Sequence, residues 1–196
     1  MLHKALVNEI RRGDYELAGE KGLYLPKSRM FVGGVFNNTK RSPEGDVLDF
    51  WTSENLVLNA GIQYIFNEIF GDSSLGYSWY VGLYGNAYTP QAADTSADIG
   101  VSYTEVNAAY DEATRPAYTS DGALSGADLT MSNSASKATF TFNTNSTTVA
   151  GAFVIDTNTK GSATNLMLAA SKYATSKSMD DGETLDVGYD ITGSSS

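Results

Sequence analysis

The stretch Trp79-Tyr-Val-Gly-Leu-Tyr84 decides the fold class of this 196-residue chain. It is rich in aromatic and branched residues, and it opens a long series of β-patterned segments separated by Thr, Ser, Asn, Asp and Gly. Alternation of apolar and polar residues is clearest in Ala138-Thr-Phe-Thr-Phe142 and Thr184-Leu-Asp-Val-Gly-Tyr-Asp-Ile191. The segments predict strands near 79–84, 101–106, 138–143, 147–156, 164–170 and 183–191. We therefore expect a mainly β protein, an antiparallel β-sandwich or jelly roll.

A hairpin and a helix are predicted before this series. Met30-Phe-Val-Gly-Gly-Val-Phe36 and Val47-Leu-Asp-Phe-Trp51 have the composition of strands joined by a polar turn. The helix is expected to begin at Thr52 or Ser53, whose side chains can cap the first turn, and to run to about residue 70. Its buried face follows from the helical spacing of Leu58, Ile62, Ile65 and Ile69.

Glycine within the helix requires a separate explanation. Gly61 lowers helix propensity by about 1 kcal/mol relative to alanine. We expect it to mark either close packing of the helix against a sheet or a slight kink.

Three regions are expected along the chain. Residues 1–28 form an amino-terminal arm, in which Leu2 to Ala18 carries a weak helical stripe interrupted by Gly13. Residues 29–192 form the β-sandwich body, with one packed helix near 53–70. Residues 193–196, Gly-Ser-Ser-Ser, form a flexible tail.

Charge is unevenly distributed and excludes some partners. The net charge is −10, but residues 1–50 hold eight basic and seven acidic residues, whereas the remainder holds five basic and sixteen acidic residues. An acidic body repels phosphate, so direct binding of nucleic acid and of an anionic membrane surface is not expected. No apolar run approaches the roughly 20 residues that cross a bilayer, and no secretory signal is recognisable. We expect synthesis in the cytoplasm.

Residues suited to catalysis are scarce. The chain has no cysteine, and its single histidine is His3, so neither a thiolate metal site nor a well-placed general base is expected. Asp111-Glu112 and the Asp180-Asp-Gly-Glu183 cluster are carboxylate groups that a glycosidase or a weak calcium site would need. Both are better explained as turn residues. The sequence predicts a protein that is not an enzyme and that needs no cofactor or metal.

Two groups of side chains are candidates for an interface instead. Basic residues of the first part of the chain can contact an acidic neighbouring surface, whereas tyrosines of the long loops 84–102 and 107–133 can form a sugar-stacking platform or an interface patch. Many of the tyrosines are equally expected in the core. The candidate interface residues are Arg11, Arg12, Lys27, Arg29, Tyr88, Tyr110, Arg115 and Tyr118.

The order of several segments resembles a known group of proteins. The segments are Asn55-Leu-Val-Leu-Asn-Ala-Gly61, Trp79 to Tyr84, Ala109-Tyr-Asp-Glu-Ala-Thr-Arg-Pro-Ala-Tyr118, Asn133-Ser-Ala-Ser-Lys-Ala-Thr-Phe140 and Val149-Ala-Gly-Ala-Phe-Val-Ile155. Over residues 53–192 the chain resembles small virion structural proteins of tailed bacteriophages. The resemblance implies structural roles for Glu112, Arg115 and Pro116, with Arg115 pairing a carboxylate or capping backbone carbonyls.

This resemblance implies a function in a virus particle. We expect a noncatalytic capsid decoration or cement protein that binds the major capsid protein or another virion protein, forms a homo-oligomer and stabilises the shell. The alternative is a tail-fibre, tail-spike or tail-adaptor component whose exposed loops bind a host glycan or another tail protein. Both hypotheses imply that the protein is located in the virion.

Overall fold

The computed structural model describes residues 15–18, 23–26, 30–70, 78–122 and 130–195. The chain divides into two compact units, residues 1–31 with 193–196 and residues 32–192. In the first unit, β1 (Tyr15–Ala18) and β2 (Leu23–Pro26) pair antiparallel. The end of the predicted amino-terminal helical stripe is therefore a strand, because cross-strand pairing prevails over a weak helical pattern broken at Gly13.

Two antiparallel sheets form the larger unit, as the sequence predicted. One is four-stranded, in the order β5 (Leu56–Val57), β10 (Met167–Met179), β9 (Thr147–Ile155) and β6 (Tyr80–Tyr84). The other has the order β4 (Val47–Glu54), β3 (Met30–Arg41), β11 (Thr184–Ser195) and β7 (Thr130–Met131), and its fifth strand, β8 (Ala138–Thr141), also pairs with β11. Strand β11 ends at Ser195 and so includes Gly193, Ser194 and Ser195 of the predicted tail.

The main hydrophobic core lies between the two sheets. Phe36 and Tyr189 of the five-stranded sheet, and Val154 and Tyr173 of the four-stranded sheet, belong to one buried cluster. Side chains on alternate positions of each strand point to the same face, so each sheet contributes one face to this cluster. The architecture is a β-sandwich, and the prediction of this fold class is confirmed.

The opposite face of the four-stranded sheet is also covered. A second cluster of buried residues includes Tyr84 and Phe153 from the strands and Ile99 and Tyr103 from the segment that follows β6. This burial on both faces explains why β9 is a nearly continuous apolar run. The long loop after β6 therefore packs on the sheet and contains a short 3-10 helix, Ser96–Asp98.

The helix begins later than the sequence predicted. Helix α1 runs over Asn59–Phe70, whereas Thr52 and Ser53 lie in β4, opposite Asn37 and Phe36 of β3. The predicted cap at Thr52 or Ser53 is wrong because pairing with β3 extends the strand. Of the two explanations for Gly61, close packing of the helix against a sheet is confirmed, because a Cβ added there would overlap the carbonyl oxygen of Leu168 in β10.

The remaining strand predictions differ in extent. The predicted strand at 101–106 is absent: Tyr103 and Glu105 make isolated bridges only. The strand expected at 164–170 begins at Met167 and continues to Met179, beyond the predicted end. Polar residues on the second half of β10 do not interrupt it because Lys177 and Ser178 still pair with β9.

Candidate functional site: the outer face of the five-stranded sheet

The pairing of β3 with β4 determines which side chains face away from the core. Asn38 and Trp51 lie opposite each other and point inward, where the Tyr173 hydroxyl donates a hydrogen bond of 2.8 Å to Asn38 Oδ1. Their neighbours Thr39 and Phe50, also opposite each other, point outward. The Phe50 side chain is 59% exposed.

Strands β8 and β11 continue this outer face. Thr139 and Asp186 lie opposite each other, and the Thr139 hydroxyl donates a hydrogen bond of 2.8 Å to Asp186 Oδ1. Arg41 Nε lies 2.8 Å from Asp186 Oδ2 and forms an ion pair with it. Both carboxylate oxygens of Asp186 are thus held in place by neighbouring strands.

Lys137 crosses the middle of this face. A Cβ added to Gly188 would lie 3.2 Å from Lys137 Cε and 3.3 Å from the Asn37 carbonyl oxygen, so the missing side chain of Gly188 leaves room for the lysine stem. The Lys137 ammonium reaches Thr39 Oγ1 at 3.5 Å. No carboxylate of the described residues lies within ion-pair distance of it.

These side chains line an open polar groove of about 540 Å³. The groove contains one carboxylate, two cations and three hydroxyl side chains. Its lining residues are Arg41, Ser134, Ala135, Ser136, Lys137, Thr139 and Asp186.

The loop that forms one wall of the groove is firmly held. Asn133 is fully buried, and its Oδ1 accepts a 2.7 Å hydrogen bond from the Tyr189 amide. Asp121 accepts hydrogen bonds from the Ser134 hydroxyl, at 2.7 Å, and from the Ala135 amide. The conformation of this loop is therefore fixed by contacts within the protein, so the wall is preorganised for binding.

An apolar edge borders the same sheet. Val47, Leu48 and Phe50 of β4 are 57%, 53% and 59% exposed. Within the described part of the chain, β4 pairs only with β3, so its other edge has no strand partner there. A register shift between Lys40 and Arg41 makes Leu48 a bulge residue. An exposed apolar edge strand is a surface that other chains can contact or extend.

Arg115, one of the candidate interface residues, lies in the interior of the larger unit. Its side chain is fully buried and forms a bidentate ion pair with Glu105, with Nε–Oε1 at 2.7 Å and Nη2–Oε2 at 2.8 Å. It also donates hydrogen bonds of 3.0 Å to the carbonyls of Thr157 and Ser162. The structure thus gives Arg115 the carboxylate pairing and carbonyl capping that the resemblance implied.

The three candidate tyrosines do not come together. Tyr110 is 2% exposed and stacks edge-on against Phe140, while Lys160 Nζ lies 3.6 Å from the centre of its ring. Tyr88 is half-buried against the second cluster and donates a hydrogen bond to Asp94. Tyr118 lines a separate open groove of about 430 Å³, and burial raises the pKa of its hydroxyl to about 12. The other candidates, Arg11, Arg12, Lys27 and Arg29, lie outside the described residues.

The carboxylate clusters are built into turns. Asp180 Oδ1 accepts a 2.9 Å hydrogen bond from the Ser146 amide, and Glu183 forms an ion pair with Lys40. Glu112 accepts hydrogen bonds from the Thr141 amide. No group of three or more potential metal ligands occurs among the described residues.

A small apolar cleft lies beside the helix. It has a volume of about 140 Å³ and is lined by Val32, Val57, Tyr64, Ile65, Trp79, Leu168, Tyr189 and Ile191. This places Ile65, a predicted core residue, at the wall of a cleft.

No protein-family model matches the chain, and no curated protein matches it. In the described ranges, no helix has the length and apolarity needed to span a membrane.

The sequence does not predict that these residues form a groove. Arg41, Lys137 and Asp186 are far apart in the chain and meet only through the pairing of β3, β8 and β11. The alternation within β8 and β11 was recognised, and it was the available signal that Thr139 and Asp186 share an outward face.

Proposed function

We propose that the chain is a noncatalytic virion structural protein that attaches to a protein shell through the exposed edge of β4. It is a capsid decoration or cement protein in this proposal, bound to the major capsid protein or to another virion protein. The observation that carries the proposal is the group of three large apolar side chains, Val47, Leu48 and Phe50, exposed on an edge that has no strand partner among the described residues. The resemblance of the ordered sequence segments to phage virion proteins indicates that the assembly is a virus particle.

The physical basis is burial of apolar surface together with strand pairing. Burying exposed side chains of this size contributes about 25 cal/mol per Å² of apolar surface removed from water. The free backbone groups of an edge strand can also pair with a strand of the partner. Many copies bound around a closed shell would reinforce contacts between its subunits.

Attachment is tested with shells that lack the native copy of this protein. Leu48→Glu places a charge on the proposed contact and is expected to reduce the bound amount by at least tenfold at fixed concentration. Val101→Glu is the control, because Val101 is 80% exposed at a position outside the sheets. Full occupancy by the Leu48→Glu protein would reject attachment through this edge.

The alternative function is a tail-fibre, tail-spike or tail-adaptor component. The open polar groove on the outer face of the five-stranded sheet favours it, since recognition of a host surface requires accessible polar groups. Copy number separates the two functions. Quantitative mass spectrometry of purified particles should find dozens to hundreds of copies of a decoration protein, but a small multiple of three or six for a tail component.

A further inference from the structure

The groove on the outer face of the five-stranded sheet has unused capacity for hydrogen bonding. Lys137 Nζ carries three donor hydrogens, and its contact with Thr39 is long, at 3.5 Å. Arg41 uses Nε on Asp186 and Nη1 on the carbonyl of Gly45, and no partner of Nη2 occurs among the described residues. Donors of this kind face an open volume of about 540 Å³, which is within the range of small-ligand sites.

Acceptors accompany these donors. Asp186 accepts one hydrogen bond on each oxygen, from Thr139 and Arg41, and a carboxylate has further lone pairs to offer. The hydroxyl of Thr139, whose hydrogen is directed to Asp186, can accept a hydrogen bond from a ligand. The groove thus offers donors and acceptors side by side, the arrangement that vicinal hydroxyl groups of a sugar require.

An aromatic ring lies on the same sheet face. Phe50 is directly opposite Thr39, and Thr39 contacts Lys137, so the three side chains form a row across the strands. Neighbouring strands lie about 4.8 Å apart, which places the exposed ring within the span of a short oligosaccharide from the groove. An aromatic face packs against the C–H face of a pyranose while polar groups bind its hydroxyls.

Charge selects among possible sugars. The chain carries a net charge of −10, and Asp121 lies beside the groove through its contact with Ser134. Long-range repulsion therefore acts against polyanionic ligands. The ion pair with Asp186 compensates the charge of Arg41. Lys137 is then the one lining cation that has no carboxylate within ion-pair distance among the described residues, so its ammonium can donate hydrogen bonds to sugar hydroxyls.

We propose that this groove, together with the ring of Phe50, binds a neutral oligosaccharide. Hydrogen bonds from Lys137 and Arg41 and to Asp186 hold the sugar hydroxyls, and Phe50 packs against the ring of an adjacent unit. Since the wall loop is held by Asn133 and Asp121, binding requires little reorganisation of the protein.

The test uses an array of neutral hexose and N-acetylhexosamine oligosaccharides with matched uronate-containing oligosaccharides, probed with the full chain. Neutral glycans are expected to bind in preference to the uronate series. Lys137→Met keeps the stem over Gly188 and removes the ammonium, so it is expected to weaken binding by roughly tenfold. Phe50→Leu keeps an apolar side chain but removes the aromatic face and is expected to weaken binding similarly.

Two controls separate this proposal from shell attachment. Leu48→Glu is expected to bind glycan normally, whereas Lys137→Met, which leaves the apolar edge of β4 unchanged, is expected to attach to shells normally. Thermal melting verifies that each variant is folded. The proposal is overturned if no neutral glycan binds, if only uronate glycans bind, or if folded Lys137→Met and Phe50→Leu proteins bind as tightly as the wild type.

Discussion

Arg115 and Glu105 form a bidentate ion pair in which the two side chains are 0% and 2% exposed. The guanidinium also binds the carbonyls of Thr157 and Ser162, and Glu105 Oε2 accepts a 2.7 Å hydrogen bond from the Gly161 amide. The pair therefore connects the loop after β6 to the loop between β9 and β10. Both members of this buried pair have further hydrogen-bond partners, and removing one member leaves the other as an uncompensated charge.

Arg115→Met is expected to lower the free energy of unfolding by about 3–5 kcal/mol, because it leaves the Glu105 carboxylate buried without its partner. The double variant Arg115→Met with Glu105→Gln should be less destabilised than the sum of the two single variants. Chemical denaturation of the four proteins measures the coupling. Additive losses would show that the two side chains act independently.

Alanine favours a helix over glycine by about 1 kcal/mol. Gly61→Ala is nevertheless expected to destabilise the protein. An added Cβ would overlap the Leu168 carbonyl, which is backbone and cannot move aside cheaply. Gln63→Ala, at an exposed position of α1, is the control and should be neutral or slightly stabilising. A higher melting temperature for Gly61→Ala would mean that the helix does not pack closely at this point.

Phe142→Asp is expected to prevent stable folding, because Phe142 is 1% exposed within the core between the sheets and the new carboxylate would have no partner. Ile65→Asp should be milder, since Ile65 is half-buried at the apolar cleft. Val101→Asp, at a position that is 80% exposed, should melt like the wild type. Soluble expression and thermal melting rank the three variants, and the reverse order of Phe142→Asp and Val101→Asp would refute the assignment of the core.

The protein is expected to lose stability as pH rises above about 10, the ordinary pKa of tyrosine. Burial raises the pKa of several tyrosines, to about 12 for Tyr118 and further for Tyr84, Tyr103, Tyr110, Tyr173 and Tyr189. The folded state then keeps protons that the unfolded state releases, so stability is complete below pH 10 and falls as pH rises toward the folded-state values.

Absorbance at the wavelength of tyrosinate, followed together with circular dichroism, measures this effect. Ionisation of the buried tyrosines should coincide with loss of the β spectrum. Gradual ionisation near pH 10 with an intact β spectrum would show that these hydroxyls are accessible in the folded state.

Local periodicity determined most of the secondary structure of this protein. The strands at Tyr80–Tyr84, Ala138–Thr141 and Thr147–Ile155 were predicted closely, because alternation and apolar runs are properties of adjacent residues. The sandwich followed from the number of such segments and the turn residues between them. The composition also anticipated a core rich in tyrosine, since tyrosine favours half-buried strands.

Tertiary structure decided the rest, because pairing between distant segments overrides local preference. Thr52 and Ser53 have good capping side chains, yet they extend β4 because β3 offers backbone partners for them. Tyr103 has a β pattern around it, yet it lies in a loop, packs its ring into the second buried cluster and donates a hydrogen bond to Asp94. Arg41, Lys137 and Asp186 become one groove through strand order, which depends on contacts that no local window of sequence contains.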